Sequence, residues 1–172
     1  MKFLKLRLLL IAAIGFAFSG TANAQAVTQN IDVTAFVPNV CIVDVATTET
    51  TMVFDLSGVS TATLPFDATT TLAWRCSVGF APAVSIGTGG SGDQLARVLL
   101  FGAIPLAYNL YTDGTFGTIW GDGLGGTGTV TIAGLGMAIV GNTTVFGRIP
   151  LAAAQAAITG TYTDTVVVTI TP

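Results

Sequence analysis

The chain of 172 residues is 51% hydrophobic by type and 9% charged, with 21 Gly, 6 Pro, 2 Cys and no His, whereas soluble globular domains ordinarily carry about 25% charged residues. This composition speaks against a cytosolic enzyme, because the absence of His removes the commonest general base and the commonest metal ligand. The only two Lys, Lys2 and Lys5, precede the first apolar run, so no catalytic, cofactor-binding or metal-binding residues are expected.

Residues 1–24 read as a secretory signal peptide. Lys2, Lys5 and Arg7 form a basic n-region, Leu8 to Phe18 an apolar h-region, and Ala22-Asn23-Ala24 an A-x-A cleavage site. The apolar run is well short of the ~20 residues that span a bilayer, so no membrane insertion is expected after cleavage. Removal of 24 residues from 172 leaves 148, enough for one domain, starting at Gln25. Its three cations, Arg75, Arg97 and Arg148, face nine carboxylates, a net charge of −6. Nucleic acid and anionic lipid are poor partners for such a chain, since both need clustered cations. Cys41 and Cys76 are the only cysteines of a chain bound for an oxidising compartment, and they read as a disulfide. A redox-active pair is the weaker reading, because C-x-x-C spacing is absent.

The rest alternates short Val-, Ile-, Thr- and aromatic-rich stretches with Gly-rich breaks, the pattern of an all-β sandwich or barrel. Strands are predicted at about 27–37, 39–46, 51–57, 68–77, 82–87, 95–101, 104–112, 117–120, 127–133, 142–148 and 161–171. Leu151 to Ile158 is helix-like but too short for more than a turn or two. The Gly-dense runs 87–92 and 121–128 are predicted loops, and the lack of a P-loop Lys makes Gly87 to Asp93 a hairpin loop, not a phosphate cradle. Asp122 lacks the further acidic ligands of a calcium loop and reads as part of a tight turn. Trp120 suits a sandwich core better than a sugar platform. Asn142-Thr143-Thr144 matches a glycosylation sequon, which carries little weight without a glycosylating host.

The two ends alternate most clearly. Val27, Gln29, Ile31, Val33, Ala35 and Val37 share one face, and near the other end Tyr162, Asp164, Val166, Val168 and Ile170 do. The first of these stretches suits a strand paired within its own domain, as most terminal strands are. It also suits an arm that adds a strand to an unfinished sheet of a neighbouring subunit.

Four linked motifs carry a family resemblance: Tyr108-Asn109-Leu110-Tyr111-Thr112-Asp113, Trp120-Gly121-Asp122-Gly123, Phe146-Gly147-Arg148-Ile149-Pro150 and Gly160-Thr161-Tyr162-Thr163-Asp164-Thr165. In order and spacing, with Cys41 and Trp74-Arg75-Cys76, they resemble the spore coat protein U domain family, which includes Csu-type pilins of archaic chaperone-usher systems. The chain departs from that family at its Thr171-Pro172 end, where an aromatic or apolar residue is more usual. The resemblance implies an incomplete immunoglobulin-like sandwich, exported to the periplasm and held by a chaperone that lends a strand. An outer-membrane usher would then polymerise it with homologous pilin subunits into a cell-surface pilus, each N-terminal segment replacing the chaperone strand in the next subunit. It turns the reading of residues 27–37 towards a donor strand, with Val27, Ile31, Val33 and Ala35 filling the groove. Val166, Val168 and Ile170 become residues of the acceptor groove. Within the four motifs Arg148 is the one cation beside Asp113, Asp122 and Asp164, and it is expected to act as an electrostatic hub for their loops. A tip adhesin would need a second, N-terminal domain for which 148 residues leave no room, so a rod or minor subunit is expected. The remaining readings are a self-contained secreted coat or surface protein, and a small lectin-like module using Trp120 and the glycine loops.

Overall fold

The computed structural model describes residues 28–49 and 51–171; the signal segment and Val27 lie outside them. The chain divides into two units, residues 1–36 and 37–172. In the first, residues 28–36 form neither helix nor strand, and Ile31, Val33 and Phe36 are exposed at 83%, 89% and 88%. The strand predicted at 27–37 therefore has no ladder among the described residues. Its alternation makes it competent to join a sheet, but a strand also needs a partner edge.

The second unit is an all-β sandwich. Its elements are β1 (Cys41–Val43), β2 (Phe66–Cys76), β3 (Ala83–Ile86), β4 (Val98–Phe101), β5 (Ile104–Ala107), β6 (Asn109–Tyr111), β7 (Val130–Thr131), β8 (Gly141–Ile149), α1 (Leu151–Ala156) and β9 (Val168–Thr171). One sheet runs β1-β2-β8-β6, a second β7-β3-β9, and β4 pairs with β5. The spine is the antiparallel β2–β8 pair, in register from Phe66↔Ile149 to Trp74↔Gly141. Their inward faces supply Leu72, Trp74, Val145 and Ile149, which meet Val84, Ile86, Leu106, Leu110, Trp120 and Ile132 in one core. Burying each such side chain contributes about 1.5–3 kcal/mol. Gly inside a strand weakens it unless something approaches closely, and Gly147 is such a case: a Cβ there would lie 2.8 Å from Phe54 Cζ.

Cys41 and Cys76 form a disulfide, their Cα atoms 4.1 Å apart. They stand opposite each other in the β1–β2 ladder. Ser77 N donates to Val40 O and Asp44 N to Ala73 O on either side, so 41↔76 falls on a non-hydrogen-bonded position, where antiparallel chains come closest.

Several predicted strands are shorter or broken. The run 104–112 divides at Tyr108, with β5 in the β4 pair and β6 against β8; Tyr108 N, donating to Arg97 O, extends the β4–β5 register by one last pair. The run 117–120 keeps only single bridges, Tyr111↔Ile119 and Trp120↔Gly128. Residues 161–171 are laddered only as β9, with one bridge from Thr163 to Leu100. The loop after β3 is not a hairpin loop, since β3 and β4 lie in different sheets; it crosses between them through a short 3-10 turn at Gly89–Ser91.

Candidate functional site

One open sheet edge of the second unit, among the described residues, is the outer side of β9. In the sheet order β7-β3-β9 it is paired on one side only, through Ala83↔Thr171 to Ile86↔Val168. Gly87 N donates to Val167 O, so the odd-numbered residues direct their backbone groups towards β3. By antiparallel alternation, Val166, Val168 and Ile170 turn theirs to the open side. The side chains of these same three residues point inward and are only half-buried, while Thr165, Val167 and Thr169 are exposed.

Residues 160–164, just before β9 in the chain, line a groove of about 480 Å³ together with residues 51–54, Leu56, Leu99, Leu106 and Ile149; Val166, Val168 and Ile170, expected in the acceptor groove, are not among its lining residues. Residues 51–56 correspond to a predicted strand. They alternate as one, with Met52, Phe54 and Leu56 half-buried and Thr51, Val53 and Asp55 exposed, yet they belong to no sheet among the described residues. The groove is thus flanked by two extended segments whose apolar side chains are incompletely covered. The open edge of β9 and the apolar groove formed by the residues before it supply between them the two requirements for adding a strand, unpaired backbone and apolar surface.

The family-motif residues are chiefly architectural. Trp120 is fully buried and its Nε1 donates to Val84 O at 2.8 Å, so it presents no face to a sugar, and the lectin-like reading loses its platform. Arg148 is not the hub expected of it. Its Nε and Nη2 donate to Asp67 at 2.7 and 2.8 Å, and its guanidinium sits 3.5 Å over the Phe116 ring. The cause is register: Asp67 faces Arg148 directly across β2–β8. The Asp67 partnership raises the Arg148 pKa. Phe116 holds a positive φ of 58° and also packs edge-on to Tyr111 and Phe146. Asp113 closes its own turn by accepting from Thr115 N and Oγ1, bonds that hold its carboxyl below the usual carboxylate range. Asp122 likewise accepts from Leu124 N at 2.9 Å. Tyr162 donates to Ile158 O and packs against Phe101.

The actual hub is Arg97, at 0% exposure. Its Nε donates to Gly87 O, Nη1 to Gln94 O and Asn109 Oδ1, and Nη2 to the carbonyls of Ile86, Gly87 and Trp120. Asn109 is fixed in turn by Leu110 N and Leu95 O. Beside it, Tyr108 Oη donates to Asp164 Oδ2 at 2.6 Å, and Asp164 Oδ1 accepts from Gly90 N. Burial, reinforced by the Asp164 hydrogen bond, pushes the Tyr108 phenol far above its ordinary pKa. Burial lowers that of Arg97. This network ties the start of the 160–171 segment to the loop after β3, and so positions one wall of the groove. Sequence reasoning passed over Arg97; its signal was a lone cation beside the apolar run 98–101 in a chain with few charges.

The fold is similar to a chain in the crystal structure of the CsuC-CsuE chaperone-tip adhesion subunit pre-assembly complex from archaic chaperone-usher Csu pili of Acinetobacter baumannii. The likeness has a TM-score of 0.53 at 19% sequence identity, over 78% of this chain and 40% of that one. The present chain therefore spans less than half the length of its structural neighbour. No curated protein matches the chain. The model of the Spore Coat Protein U domain matches residues 27–169, a span that takes in all four motifs and both cysteines, and the chain belongs to that family.

Proposed function

We propose that the protein is a structural, non-catalytic subunit of a surface pilus built by the chaperone-usher route, with donor-strand exchange as the joining step. The observation that carries this reading is the open edge of β9, where Val166, Val168 and Ile170 combine unpaired backbone with half-covered side chains. Family membership and the likeness to a chain of a chaperone-subunit complex support it. The exposed, unladdered segment 28–36 supports the matching role for the other end of the chain.

On this reading the signal peptide delivers the chain to the periplasm. A periplasmic chaperone covers the groove with a strand of its own, and an outer-membrane usher exchanges that strand for the arm of another subunit. Val27, Ile31, Val33 and Ala35 then lie between β9 and residues 51–56, with Asp32 and Thr34 facing out. The arrangement makes the free subunit unstable and the polymer stable, because the same apolar surface is exposed in one and buried in the other.

Deleting Gln25 to Ala35 from the exported chain tests the assignment. The shortened subunit should accumulate folded and chaperone-bound, yet form no polymer. If it is degraded before chaperone capture, residues 25–35 are part of their own domain and the donor-strand reading fails.

A further inference from the structure

The arm is rooted in the fold in an unusual way. Pro38 has no N–H to give a ladder, and its carbonyl accepts a hydrogen bond from Ser77 Oγ at 3.0 Å, while Ser77 Oγ itself accepts one from Val40 N at 3.1 Å. Three residues after Pro38, Cys41 opens β1 and is joined to Cys76, the last residue of β2. β1 is only three residues long and lies at the edge of its sheet, paired with β2 alone. From Cys76 the chain passes through residues 77–82 into β3, the strand that carries β9.

We infer that the Cys41–Cys76 disulfide is a mechanical shortcut that conducts tension from the arm to the groove-bearing sheet. The inference rests on the pilus reading, in which every subunit is pulled between its own arm and its own groove. Without the bond, that pull would reach β1 first and strip a three-residue edge strand from its end, one pair at a time. With it, force enters at Cys41, crosses to Cys76, follows residues 77–82 into β3 and reaches β9 through the β3–β9 ladder. Residues 42–75 are then bypassed on the way from the arm to β9, although residues 51–54 and Leu56 among them still line the groove that the next subunit's arm fills. The cysteines are separated by 35 positions in sequence but only 4.1 Å between Cα atoms, and a fully extended chain reaches roughly 3.3–3.6 Å per residue. The bond therefore withholds about 120 Å of extension per subunit. Ser77 places the entry point by holding Pro38 and Val40 beside the disulfide.

The test is to stretch filaments of the full chain in an optical trap before and after treatment with tris(2-carboxyethyl)phosphine, counting freed thiols by alkylation. Filaments of a Cys41→Ala, Cys76→Ala double variant are stretched in parallel. Oxidised filaments should show no step of about 120 Å. Reduced and variant filaments should yield at lower force with such a step, while unstretched filaments keep their length in reductant. Identical stretching of oxidised, reduced and variant filaments would overturn the inference, as would dissolution of unstretched filaments on reduction, which would make the bond a support of the resting fold. Failure of the unaltered chain to form filaments would instead remove the pilus reading beneath it.

Discussion

Arg97 is a buried cation with no carboxylate in direct contact, and its surroundings explain how that is tolerated. All five of its N–H groups are taken, by the carbonyls of Ile86, Gly87, Gln94 and Trp120 and by Asn109 Oδ1. Guanidinium is weakly hydrated and too basic to discharge by losing its proton, so this cage stands in for its water shell. Arg97→Met keeps much of the apolar bulk but orphans several buried acceptors, each costing about 1–3 kcal/mol. A loss of at least about 3 kcal/mol is expected, and thermal unfolding of the chaperone-held or assembled subunit should shift down by about 10 °C or more. A shift of only one or two degrees would mean that water fills the cage at little cost. Tyr108 makes a second residue-scale prediction through its raised pKa. Because the folded pKa exceeds the unfolded value of about 10, the unfolded chain loses this proton first. The stabilisation is complete below about pH 10 and is lost as pH climbs through the folded value. Tyr108→Phe should flatten the alkaline decline of stability, measured by urea unfolding from pH 8 to 11; an unchanged decline would place its origin elsewhere.

Among the elements, β9 is the one whose behaviour depends on what lies beside it. Its inward residues are half-buried and its outer edge unpaired, so a charge there is felt both by the groove and by any strand entering it. Val168→Asp puts a carboxylate without a partner on that face, at a cost of several kcal/mol once the groove is closed. The variant should fail at chaperone capture and disappear from the periplasm, checked by co-purification with the chaperone. Normal yields of pili would take β9 out of the groove. The inward face of this segment was readable in advance, because the alternation from Tyr162 to Ile170 is the direct signature of one buried face. The limits of its ladder were not. Residues 162–167 and 51–56 have strand patterning but lack a strand on their open sides, and pairing depends on a neighbour that local sequence does not specify. The break at Tyr108 was hidden for a related reason: β5 pairs with β4 and β6 with β8, a change of partner that local sequence does not specify. The scarcity of charges pointed to Arg148 as a hub for the motif loops, whereas strand register gives it Asp67, a residue outside the four motifs.

At the scale of the whole molecule, an exposed apolar-faced arm and an unfinished sheet edge occur in the same chain, and each supplies what the other lacks. The arm has backbone groups without a ladder and side chains such as Ile31 and Val33 in solvent. The edge has inward-facing valines half-covered, and the residues just before it in the chain line a groove of about 480 Å³. On the donor-strand reading, joining the two between subunits would bury both sets, and at about 25 cal/mol per Å² of apolar surface a few hundred Å² would offset part of the cost of ordering a short segment. Ile31→Asp with Val33→Asp separates backbone from side-chain contributions, since it leaves every ladder N–H and C=O in place and changes only what enters the groove. Both residues lie in the first unit, within the segment 28–36 that has no ladder among the described residues, so the second unit should fold, be exported and be captured by the chaperone as before. Each inserted carboxylate would be buried without a partner, a cost of several kcal/mol, and polymerisation should stop at the chaperone-bound subunit. The readout is the ladder of SDS-resistant, heat-labile species on a gel, together with chaperone co-purification from the same cells. An unchanged polymer ladder would refute the assignment of Ile31 and Val33 to the groove. Loss of the subunit before chaperone capture would show that the arm supports its own domain, as a self-contained coat protein requires.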